Sequence, residues 1–191
     1  MHGWLPAPDL ARGQRSRDLC HTRQLVGICF GHQLIAQALG GRVELSTQGW
    51  GVGVHTYDVN PGFGFPGEPR QIAMQAFHQD QIVELPPDAE VVASSAFCPI
   101  AMLQYGTQVR TVQAHPEFDA GFTRYLLELR RGQAIPEAVA DLAEPTLDAP
   151  TDAHAVARWL ADCLALGKPS VAAWVTGVLG YEAPRVYTRD A

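Results

Sequence analysis

An α/β fold is what this 191-residue sequence predicts, on three observations. A short apolar run, QLVGI from Gln24, is followed at once by CFGHQLIAQALGG, whose apolar residues keep a helical period. A train of short alternating segments comes next, separated by polar or Gly/Pro-rich turns. Beyond His115 the period turns helical.

Residues 1–23 carry Pro6, Pro8 and four arginines (Arg12, Arg15, Arg17, Arg23) with no sustained period, and read as an irregular segment. QLVGI suits a buried parallel strand. Phe30, Leu34, Ile35, Ala38 and Leu39 then form the stripe of an amphipathic helix, which Gly40 and Gly41 stop. RVEL and WGVGVHTYDV read as strands, the second with Val52, Val54 and Thr56 alternating against Gly53, His55 and Tyr57. NPGFGFPGEP is a loop, QIAMQAF a strand, and HQDQIVELPPD a turn-rich connection. EVVASS, AMLQYG and QVRTVQA are three further strands. Phe122, Tyr125, Leu126 and Leu129 are expected to share one helix face, as are Val156, Trp159, Leu160, Cys163 and Leu164, with a short helix and a proline-broken linker between them. The division is therefore 1–23 irregular, 24–166 an α/β domain, and 167–191 a tail in which Trp174 and Leu179 follow no clear period.

Composition narrows the function. With 14 Lys+Arg against 20 Asp+Glu the formal net charge is -6, which disfavours a surface that tracks phosphates, so no nucleic-acid partner is expected. No apolar stretch approaches the ~20 residues that span a bilayer, and the first twenty residues lack the apolar centre of a signal peptide. No membrane partner and a cytoplasmic location are the expectation. Cys20, Cys29, Cys98 and Cys163 show neither C-x-x-C pairing nor a histidine at zinc-finger spacing, so neither a disulfide framework nor a structural metal is expected.

Cys29 lies in Gly27-Ile28-Cys29-Phe30-Gly31, the form of a nucleophile elbow with sulfur in place of the serine oxygen. Glycines two residues before and after let strand and helix pass without a Cβ clash. The helix N-terminus lowers the thiol pKa and aims N–H groups at a developing oxyanion. A buried cysteine at a strand end meets the same spacing. A base is offered by His115-Pro116-Glu117 at the end of QVRTVQA: His115 can reach Cys29, and Glu117 can accept from the other ring nitrogen. A solvated loop histidine beside a proline turn is the alternative. His2 and His21 fall in the irregular start, His154 on a late helix, His32 at the opening of the elbow helix, and His78 after a strand.

VGICFGHQLIAQALGG followed by AHPEF resembles the class I glutamine amidotransferase family, whose triad is carried by G-x-C-x-G-x-Q and H-P-E motifs. AFHQDQIVELPPDAEVVASS is similar to the His-x-Asp segment and following strand in the amidotransferase part of GMP synthase. With GWGVG, the likeness is to the stand-alone, GMP-synthase-like members, over about Leu25 to Gly132. The resemblance implies a flavodoxin-like, mostly parallel sheet flanked by helices. It also implies Cys29 as nucleophile, His115 as general base and acid, and Glu117 as its orienter, with the Phe30 backbone N–H as an oxyanion donor. Gln33 would hold the glutamine, with the backbone around Phe77 and His78 lining its pocket. The implied reaction releases ammonia through a γ-glutamyl thioester and needs no cofactor and no metal. The ammonia acceptor would be a separate synthetase. Cleavage of γ-glutamyl peptides and a non-catalytic interaction module are the alternative functions.

Only 28 residues precede Cys29, fewer than the ~30 of one βαβ unit. The resemblance therefore implies a domain that is N-terminally incomplete, without the upstream strands and the glycine that completes the family's oxyanion hole. A weakly active or inactive, and poorly soluble, chain is the expectation that follows.

Overall fold

The computed structural model describes residues 24–165. The expectations for residues 1–23 and 167–191, and for Cys20, His2 and His21, lie outside them. The described chain is a three-layer α/β arrangement. Its elements are β1 Leu25–Ile28, α1 Phe30–Ala38, β2 Arg42–Leu45, β3 Gly51–Val59, β4 Gln71–His78, β5 Asp80–Glu84, β6 Glu90–Ser94, β7 Met102–Tyr105, β8 Val109–Val112, α2 Ala120–Arg130, α3 Glu137–Ala143, a 3₁₀ turn Glu144–Thr146 and α4 Ala153–Ala165.

Six strands form one mixed sheet in the order β1-β8-β7-β6-β3-β4, and β2 and β5 pair separately. β1 and β8 run parallel; the other pairs in the large sheet are antiparallel. Among the described residues β1 has one strand neighbour, β8.

Alternation along β8 shows how the layers form. Val109 and Thr111 face α1, where Val109 packs with Ala36, Leu39 and Leu103 and Thr111 bonds to His32. Arg110 and Val112 face α4: the Arg110 guanidinium lies 4.7 Å over the Trp159 ring, and Val112 joins Val156, Trp159 and Leu160. The expected α4 face is the one that is buried. The glycine-rich loop reinforces this layer, since Phe65 stacks on Trp159 at 5.5 Å and the indole N–H donates to the Phe63 carbonyl. Val52, Leu127, Ile135 and Leu147 form a third cluster beneath α2 and α3.

Three local expectations are corrected. HQDQIVELPPD contains a strand, β5, which pairs antiparallel with β2 so that Ile82 and Val43 bury together under α1. Helix α2 is rotated from its expected face: Thr123 and Leu127 are buried, whereas Tyr125 and Leu129 are about half exposed. Asp119 sets that rotation by accepting from the Phe122 N–H and, through its carbonyl, from the Thr123 hydroxyl. Helix α1 likewise buries Gly31, His32, Gln33 and Ala36 and leaves Phe30 and Leu34 exposed. Two polar side chains outrank two apolar ones there because each finds hydrogen-bond partners in the sheet.

Candidate active site

Register brings the two halves of the site together. Ile28 pairs with Val112 in the parallel ladder, and the Cys29 N–H donates to the Val112 carbonyl at 2.8 Å. The chain therefore leaves β1 at Cys29 beside the point where it leaves β8, and His115 follows three residues after Val112. The His115 peptide is held in turn by β4, its N–H donating to the Gln75 carbonyl at 2.8 Å.

Cys29 stands at φ 48, ψ -101 between strand and helix. A side chain at positive φ is strained, by about 1–3 kcal/mol, and here the surrounding elements enforce it. The turn is tight as well: a Cβ on Gly27 would sit 2.8 Å from the Gly31 backbone and from Ile35 Cδ1. Phe30 occupies the first helical position, and the first donor inside the helix is the Gln33 N–H on the Cys29 carbonyl.

The His115 ring lies flat on Phe118, with centroids 3.9 Å apart, and its Nδ1 donates to Glu117 Oε1 at 2.8 Å. That leaves Nε2 for the thiol. Burial alone drives His115 toward the neutral form, but hydrogen bonds to Cys29 and Glu117, with their charges, outweigh it and lift the pKa to about 9. The structure thus brings Cys29, His115 and Glu117 into one hydrogen-bonded row.

The other expected residues lie around this row in different states. Phe77 and His78 end β4, and Phe77 packs edge-on against Trp50. His78 is buried, and desolvation followed by the neighbouring His55 pushes its pKa down to about 3. Gln33 is buried too, and both of its amide hydrogens are committed: Nε2 donates to the Asp80 carbonyl at 2.7 Å and to Gln113 Oε1 at 3.1 Å. His32 is structural. Its Nε2 donates to the Ile100 carbonyl and its Nδ1 accepts from the Thr111 hydroxyl, while burial lowers its pKa to about 4. Gln113, which no sequence motif above includes, donates from Nε2 to Cys29 Sγ at 3.6 Å. The available signal was a polar residue directly after a buried strand, two positions before His115. Among the described residues no cluster of three or more His, Cys, Asp or Glu could hold a metal ion, and no helix is long and apolar enough to cross a membrane.

Residues 15–127 match the family model described as glutamine amidotransferase class-I. The chain is 28% identical over 134 residues to gamma-glutamyl peptidase 3 of Arabidopsis thaliana, covering 66% of this chain and 54% of that protein. It is 33% identical over 111 residues to a subunit of the glutamine-hydrolysing GMP synthase of Thermococcus kodakarensis, covering 55% of this chain and 59% of that protein. A glutamine amidotransferase from Methylobacillus flagellatus shares the fold, with a TM-score of 0.64 at 19% identity over 86% of this chain and 70% of that one. The chain spans about half the length of the curated relatives it matches.

Proposed function

The chain belongs to the class-I glutamine amidotransferases, and on that premise we propose that it hydrolyses the side-chain amide of glutamine with Cys29, His115 and Glu117. One observation carries the reading: at a positive-φ strand-to-helix turn, Cys29 bonds to a histidine whose other nitrogen is held by a carboxylate. The chemistry follows from those groups. His115 takes the thiol proton, and the Cys29 sulfur attacks the amide carbon, giving a tetrahedral oxyanion. The Phe30 N–H, at the positive end of the α1 dipole, is one donor to that oxyanion. Collapse passes the proton from His115 to the departing nitrogen, so ammonia leaves and a γ-glutamyl thioester remains. Water, deprotonated by His115, attacks the thioester and frees glutamate and the thiol. Glu117 holds the imidazole in the required tautomer and stabilises its cation.

In this reading the backbone around Phe77 and His78, at the end of β4, would line the glutamine pocket. Gln33, with both hydrogens used, has only its Oε1 to offer glutamine. The relative named as part of GMP synthase supports a separate synthetase as the ammonia acceptor. Relatives named gamma-glutamyl peptidases favour a second reading, in which the same row cleaves γ-glutamyl peptides.

A glutamine-analogue electrophile, 6-diazo-5-oxonorleucine, tests the shared chemistry on the full chain. Selective labelling of Cys29 over Cys20, Cys98 and Cys163 is expected, and indiscriminate or absent labelling would leave a non-catalytic module as the better reading. Initial rates on glutamine and on a γ-glutamyl dipeptide then separate the two hydrolases.

A further inference from the structure

The amide of Gln113 has no step in the reaction above, yet it touches the nucleophile's sulfur from within the core. Gln113 follows β8 directly and is fully buried. Its Nε2 donates to Cys29 Sγ at 3.6 Å, and its Oε1 accepts from Gln33 Nε2 at 3.1 Å. The second hydrogen on Gln33 Nε2 goes to the Asp80 carbonyl at 2.7 Å. A backbone carbonyl can only accept, so it sets the polarity of the whole row. Gln33 must turn its NH₂ toward Asp80 and so presents a donor to Gln113. Gln113 must then turn its own NH₂ toward the sulfur. A glutamine free to flip could turn its carbonyl oxygen to Cys29; this one is held as a donor.

We propose that Gln113 is a positioning residue that holds Cys29 in its thiolate form through this N–H···S bond, an inference that rests on Cys29 being the nucleophile. An N–H donor bonds an anionic sulfur about twice as strongly as a neutral acceptor, so the contact favours ionisation and raises the fraction of reactive sulfur. The other titratable groups facing Cys29 are His115, Tyr57 of β3 and Cys98 between β6 and β7, with Glu117 behind His115. Burial raises Tyr57 and pushes Cys98 up to about 12, so neither carries charge at neutral pH. The sulfur thus sits between a cationic imidazole and a fixed neutral donor.

The rate of iodoacetamide alkylation of Cys29 against pH, read by peptide mass spectrometry on the full chain, tests this. Gln113→Leu is expected to move the midpoint up by about one pH unit, which slows alkylation about tenfold below the midpoint. Its kcat on glutamine should fall at neutral pH and recover as pH rises, with KM unchanged. Gln33→Leu keeps Gln113 but releases its orientation, so the midpoint moves the same way by less, and the double variant moves no further than Gln113→Leu alone. A Gln113→Leu profile that superimposes on the parent overturns the proposal. Should that variant fail to melt cooperatively, an unshifted midpoint in Gln33→Leu overturns it instead. Failure of the nucleophile reading looks different: 6-diazo-5-oxonorleucine would leave parental Cys29 unlabelled, whereas the midpoint shift reports on Gln113 with or without turnover.

Discussion

The ends of β1 and β8 and the end of β4 each bury a histidine almost completely, His115 at 6% and His78 at 3% exposed, yet the two rings are held in opposite charge states. Desolvation works against the cation at both. At His78, Nδ1 makes a 3.3 Å contact with the Asp80 carbonyl, Nε2 has no hydrogen-bond partner among the described residues, and the ring falls to about 3. At His115 a carboxylate takes one nitrogen and a thiol the other, and the ring rises to about 9. Burial of the same degree therefore leaves a histidine neutral or favours its cation according to its partners. The backbone differs in parallel: the His115 end contains the strained Cys29, whereas β4 runs out in regular pairing, His78 opposite Gly51.

The strongest way to break this contrast is Cys29→Gly. Glycine accepts φ 48 without strain and removes the sulfur. Turnover should fall by about 10³-fold or more; relief of about 1–3 kcal/mol of backbone strain is offset by loss of the sulfur as a partner of His115, so chemical denaturation should show stability within about 1 kcal/mol of the parent. A variant destabilised by several kcal/mol would mean that the turn is not strained.

Glu117→Gln strips the carboxylate from His115 and should lower its pKa toward that of His78, with glutamine turnover down about 10²-fold. Stability against pH carries the same information. His115 is raised above its unfolded value of 6.5, so its contribution is fully present below pH 6.5 and is lost as pH rises through about 9. In Glu117→Gln that alkaline decline should flatten, as followed by urea midpoints between pH 6.5 and 9; an unchanged slope would show that Glu117 is not what holds the proton.

The smallest expected effect belongs to His78→Leu. Folded His78 and His32 stay neutral while their unfolded counterparts bind protons below 6.5, so both erode stability as pH falls toward 3–4. Removing His78 should change stability by less than about 1 kcal/mol at about pH 8 and reduce the loss as pH falls from 6.5 toward 3. A loss at alkaline pH as large as a core truncation would show that its ring packs rather than merely occupies its site.

Much of the candidate site was legible along the chain because its parts are local. Gly27, Cys29 and Gly31 sit on one strand–turn–helix, and His115 and Glu117 are two residues apart, so spacing alone links each pair. The face of α1 was misread because the stripe rule weighs side chains by apolarity, and His32 and Gln33 are buried by bonds to Thr111, Ile100, Asp80 and Gln113, all far away in sequence. β5 escaped notice for a related reason. Its one deeply buried apolar side chain, Ile82, is explained only by Val43 on a strand nearly forty residues earlier.

By itself the sequence determined the order of strand, cysteine turn and helix, the histidine and carboxylate that follow β8, and the α/β class, since these rest on periodicity and on neighbours within a few residues. Only the tertiary structure decided which buried histidine keeps a proton, which face of each helix turns inward, and that Gln113 points a donor at Cys29. Each of those depends on hydrogen bonds across strands whose register no local pattern encodes, and in a desolvated interior such bonds outweigh the local preferences.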